Sequence, residues 1–82
     1  MNHDCSTSVQ QCTGQVLSMF YLVDEPVTTV TIQVDRQSMT ARATGQVALD
    51  LRTLPRGAMI CATLHDEQLG YVQLLTFRVI PC

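Results

Sequence analysis

The residues able to carry chemistry in this 82-residue chain fall into three groups. Asp35 and Arg36 share one short polar break, and His65, Asp66 and Glu67 share another. In an antiparallel meander, alternate connections lie at the same end of the sheet, so the two breaks are expected side by side. An imidazole beside carboxylates can move a proton, hold an ion or orient a small ligand. The same residues also suit two solvated hairpin turns, because turns select Asp and polar neighbours for local reasons. Asp35, Arg36, His65, Asp66 and Glu67 are therefore candidate ligand-binding residues. None is assigned as catalytic or as a metal ligand.

The second group is the four cysteines, Cys5, Cys12, Cys61 and Cys82. Four cysteines allow three two-disulfide pairings, and spacing alone does not choose among them. A Cys5–Cys82 bridge would staple the ends, and Cys61 could meet Cys12 if the first segment lies beside it. Zinc would need thiolate or imidazole ligands, but no Cys-x-x-Cys pair is present. No secretory leader precedes the polar start, so the expectation is a cytoplasmic protein with reduced, structural thiols. An exported protein is the alternative, if a leader has been removed. The third group is Met1-Asn2-His3. Its amine, two amides and imidazole could wrap Cu(II) or Ni(II) in a square plane, but chain ends are commonly loose.

Stepping outward from these residues, the longest regular pattern is the stretch 38–52. Met39, Ala41, Ala43, Gly45, Val47, Leu49 and Leu51 alternate with Thr40, Arg42, Thr44, Gln46, Ala48, Asp50 and Arg52. Period-two alternation predicts one long strand, bent at Gly45, with Leu49 inward and Asp50 outward. The stretch 27–34 alternates Val and Ile with Thr and Gln and predicts a second strand. The breaks at Asp24-Glu25-Pro26, 35–37, 52–57 and 65–70 bound further strands at 58–64 and 71–80. The stretch 8–23 is ambiguous. Val9, Cys12, Val16, Met19, Phe20 and Val23 follow helical spacing, while the nearly continuous apolar run 16–23 favours a strand from about Gln15. Residues 1–8 read as a polar arm.

The stretch 47–62 resembles the strand–corner–strand passage of bacterial immunoglobulin-like sandwiches, through Leu49, Leu51, Leu54, Pro55, Gly57 and Cys61. The resemblance covers under a quarter of the chain and implies β structure there. Met59 stands where those families usually carry an aromatic.

Composition narrows the function classes. All five basic side chains are arginines spread along the chain, and the net charge is −2. A general nucleic-acid binder needs a basic stripe, so this balance argues against one. No run is long enough to span a membrane. No phosphate-binding glycine loop, nucleophile elbow or zinc-protease motif occurs, and no cofactor is implied. Hydrophobic residues make up 46% of the chain and charged ones only 15%. A domain this small buries a limited share of its surface, so some apolar side chains must face outward and mark an interface.

The expected molecule is a single small β domain of about five strands, a small antiparallel barrel or compact sandwich. The alternative is an N-terminal helix packed on a four-stranded antiparallel meander. The expected function is a non-enzymatic interaction module acting as a homo-oligomer. Its interface would use Val72, Leu74 and Ile80 of the two-sided final strand, and its partner would be a second copy or another protein. One alternative is a nucleic-acid-binding small barrel of the oligonucleotide-binding type, using Arg36, Arg42 and Arg78 with some of the four aromatics. Another is a ligand or metal site at the polar end.

Overall fold

The computed structural model describes residues 9–66 and 72–81. The predicted arm at 1–8 and the turn residue Glu67 lie outside them. Five strands and one helix follow in the order β1 (Val9–Tyr21), β2 (Val27–Val34), β3 (Gln37–Thr44), α1 (Gly45–Leu51), β4 (Met59–Asp66) and β5 (Val72–Val79). The strands close a barrel in the order β1-β2-β3-β5-β4. The mainly β expectation holds. The barrel is mixed rather than wholly antiparallel, because β3 and β5 run parallel through Ala41↔Val72 and Arg42↔Gln73. That pairing closes the barrel.

Strand β1 is shared by both halves. It pairs with β4 from Val9 to Gln15 and with β2 from Gln15 to Tyr21. Gly14 precedes the switch. A Cβ there would lie 2.4 Å from Ile32 Cγ2 and 2.7 Å from the Gln33 carbonyl, so only glycine lets the strands cross this closely. A bulge between Val16 and Ser18 then resets the register and tightens the coil, as bulges do. The ambiguous segment is thus one long strand, bent where its glycine stands, and the helical alternative is excluded.

The stretch 38–52 departs from expectation. It is a strand only to Thr44; Gly45 takes φ +69 and the chain turns into α1. The Gly45 amide donates to the Pro26 carbonyl at 2.9 Å, ending the β2–β3 ladder. Seven residues are too few for a helix to hold itself in water, so α1 depends on packing. Ala48 and Leu51, three apart, are fully buried and plug one end of the barrel. Leu49 turns away from that plug and is 43% exposed, contrary to its predicted inward position. The likeness to an immunoglobulin-like corner fails at this helix.

The core is lined by Val16, Val30, Ile32, Ile60, Leu64 and Leu74, with alanines at 41, 43, 48 and 62. The small residues fill a narrow bore that larger side chains on every strand would overfill. No described helix is long and apolar enough to cross a membrane.

If α1 is a helix, Leu51→Asp and Leu49→Asp behave differently, whereas one strand face would make them alike. We expect Leu51→Asp to abolish the folded circular-dichroism signal, since a buried carboxylate costs several kcal/mol, comparable with the stability of a small domain. Leu49→Asp should melt within about 1 kcal/mol of the parent.

Candidate functional site

The alternation within β2 puts Thr28, Val30 and Ile32 inside and Thr29, Thr31 and Gln33 outside. Register then aligns outward side chains across the barrel. Phe20 pairs with Thr29, Thr29 with Arg42, Arg42 with Gln73, and Gln73 with His65. One line crosses all five strands and carries an aromatic ring, a hydroxyl, a guanidinium, an amide and an imidazole. A second line, Ser18, Thr31 and Thr40, lies beside it, with the two threonine hydroxyls 3.3 Å apart. Phe20 is 69% exposed, although a ring of that size is normally a core residue.

The row is walled at its Phe20 end by the β1–β2 connection. Phe20, Leu22, Glu25, Val27, Thr29 and Arg42 enclose, with Tyr21, a hollow of about 390 Å³. The wall is fixed from behind. Arg52, following α1, donates through Nη2 to the carbonyls of Leu22 at 3.3 Å and Val27 at 3.1 Å, and to that of Glu25. Its Nε donates to Thr28 Oγ1 at 3.1 Å, and Thr28 in turn donates to the Ala48 carbonyl at 2.9 Å. The guanidinium carbon lies 4.3 Å from the centroid of the Tyr21 ring. Thr28 is fully buried. A buried hydroxyl is tolerable only with its hydrogen bonds made, and here it joins strand, helix and cation.

The predicted polar end is split. Asp35, at φ 58, and Arg36 form the β2–β3 turn and line a hollow with Val34, Gln37, Ser38 and Met39 of the same hairpin. His65 lies elsewhere: it faces Val9, whereas Gln33 near the turn faces Gln15, six positions along β1 and roughly 20 Å away along the strand. His65 instead joins Arg42 through Gln73. Asp66 pairs through its backbone with Val72, and Glu67 is outside the described residues. Among the described residues no group of three or more His, Cys, Asp or Glu side chains could hold an ion.

The predicted interface also changes. Leu74 is 1% exposed and belongs to the core, because it pairs with inward Leu64. Val72 and Ile80 are half-buried, and the exposed apolar residues of β5 are Leu75 and Val79. Cys12 pairs with Ala62 and Cys61 with Thr13, so the two thiols point to opposite faces and do not bond; both are free. Cys5, Cys82 and Met1-Asn2-His3 lie outside the described residues. The three arginines of the oligonucleotide-binding alternative are dispersed: Arg36 in the turn, Arg42 in the row, and Arg78 opposite Cys61. Comparison with protein-family models, curated proteins and solved structures finds no match to this chain.

The Arg52 knot was not anticipated. Its one signal in the sequence is Thr28, a polar residue in phase with the inward Val30, Ile32 and Val34. A double-mutant cycle tests it. Arg52→Met and Thr28→Val should each lower unfolding free energy by about 1–3 kcal/mol in urea. The double variant should lose less than the sum by at least about 0.5 kcal/mol, because the two side chains share a bond. Simple additivity would show that the knot is not a unit.

Proposed function

We propose that this chain is a non-enzymatic binding module that holds single-stranded nucleic acid across its outer Phe20–Thr29–Arg42–Gln73–His65 row. The observation that carries the reading is Phe20, exposed in line with a guanidinium and three hydrogen-bonding side chains, beside a walled hollow. Base stacking on an aromatic ring contributes about 1–3 kcal/mol per base and needs no particular sequence. Arg42 offers a phosphate contact, and Thr29, Gln73 and His65 offer hydrogen bonds to sugar or base.

The connectivity supports the same face. A five-stranded barrel in the order β1-β2-β3-β5-β4, with a helix between β3 and β4, has the arrangement of the oligonucleotide-binding barrel. Ligands of that fold lie on the second and third strands, between the first–second and fourth–fifth connections. Fold alone does not assign function; the row is what gives this barrel a place to stack and bond. With a net charge of −2 and Glu25 on the rim, affinity rests on stacking more than on counterion release.

A second reading, self-association, has its own observation. Beyond Gln73 no strand among the described residues pairs with the β5 edge facing away from β4, and Leu75 and Val79 are exposed on that strand. Bare edges recruit further strands, and an edge pairing with itself satisfies a two-fold axis.

Two measurements follow. Fluorescence anisotropy with labelled oligothymidylate should give saturable binding with a shallow salt dependence. Phe20→Ala should weaken it about tenfold, and Val79→Ala should leave it unchanged. Equal affinity of Phe20→Ala and the parent would remove the nucleic-acid reading. Light scattering should give twice the 9.1 kDa chain mass if β5 edges pair, and Val79→Lys should return the monomer. A parent that stays monomeric at high concentration would end the second reading.

A further inference from the structure

A second hollow lies beyond Tyr21, whose ring borders both. After Gln15, strand β1 leaves β4 and the connection 52–58 runs beside it. The Gly57 amide donates to the Val16 carbonyl and the Val16 amide to the Ala58 carbonyl, each at 2.8 Å. Gly57 takes φ +93 to make that return. The gap encloses about 210 Å³. Val16, Met19 and Leu54 supply its apolar lining; Ser18, Arg52 and Arg56 supply its polar groups, beside Tyr21.

The charge in this gap is one-sided. Among the described residues two guanidinium groups line it and no carboxylate does. Arg52 bonds to the backbone carbonyl of Glu25, not to its carboxylate. Arg52 spends Nε and Nη2 on Thr28 and the β1–β2 carbonyls, leaving Nη1 without a hydrogen bond among the described residues. Arg56 makes no hydrogen bond or ion pair among them. Arg52 is held in place by its other bonds and by Tyr21, so its free edge is pre-organised, which reduces the ordering cost of binding.

We propose that this gap binds the phosphate group of a phosphate ester. Planar guanidinium forks match phosphate oxygens with two parallel hydrogen bonds. An anion between Arg52 and Arg56 relieves their mutual repulsion. The Leu54 and Met19 surface has no use for a bare anion but suits the organic part of an ester. The gap shares Tyr21 with the hollow beside the Phe20 row but is lined by neither Phe20 nor Arg42.

The test is thermal melting at fixed ionic strength with sodium chloride, inorganic phosphate or thymidine 5′-monophosphate. Parent protein should melt higher as either phosphate compound is added, with saturation, while chloride has no such effect. The ester saturating at lower concentration identifies an esterified phosphate as the ligand. Inorganic phosphate saturating first overturns the ester and leaves only an inorganic anion. Arg56→Met, at an exposed position that spares the fold, should raise the half-saturating concentration at least tenfold. A response that never saturates, or is equal in parent and Arg56→Met, overturns the proposal. Melting of Phe20→Ala should respond to the ester as the parent does, which separates this site from the row.

Discussion

The guanidinium of Arg52 is the contact on which the arrangement of this barrel's closed end depends. Three structures meet there, none stable alone: a seven-residue helix, a connection with three inward-turned carbonyls, and a strand that buries a hydroxyl. Each leaves polar groups that water would otherwise satisfy. A single planar cation satisfies them together and lays its face on Tyr21. Charge-assisted hydrogen bonds are stronger than neutral ones, and a half-exposed cation avoids most of the desolvation penalty of full burial. The result fixes the β1–β2 connection against the barrel, and with it the wall beside Phe20.

The rest of the geometry follows from closing a narrow barrel with a short chain. Strand β1 must serve two neighbours, so it is long, and Gly14 lets it cross β2 without collision. The bore admits alanine on β3, β4 and α1 where larger residues on β1, β2 and β5 project inward. Closure through the parallel pairs Ala41↔Val72 and Arg42↔Gln73 brings β5 and β4 next to β3. That juxtaposition puts Gln73 and His65 in line with Arg42. Closure and alignment are therefore the same event: the pair that seals the barrel also completes the row.

Much of this was legible in the sequence, and the misreadings have physical causes. Strands β2, β4 and β5 carry local period-two patterns between clear breaks, and local patterns read well. The alternation from Met39 to Leu51 satisfied two periods at once, since Val47 and Leu51 also fall one helical turn apart. Only the positive φ at Gly45 decides between them, and glycine permits that φ without demanding it. Leu74 and Leu75 could not be sorted because the bulge between Thr63 and Leu64 shifts the register of β5. His65 was placed beside the wrong neighbours. A meander would bring it to Asp35, whereas parallel closure brings it to Arg42, and nothing local in the chain specifies a parallel pair. Arg52 reaches carbonyls 25 to 30 positions away, a range at which no spacing rule applies.

The account's central claim is that one outer line of side chains, set by barrel closure, is the ligand face. Its most direct test is a titration of ¹⁵N-labelled protein with oligothymidylate, followed amide by amide. Shifts should concentrate at Phe20, Thr29, Arg42, Gln73 and His65, with Thr13, Cys61 and Arg78, paired farther along the same strands, unmoved. Shifts centred on Thr13, Cys61 and Arg78, or none anywhere at saturating ligand, would contradict it.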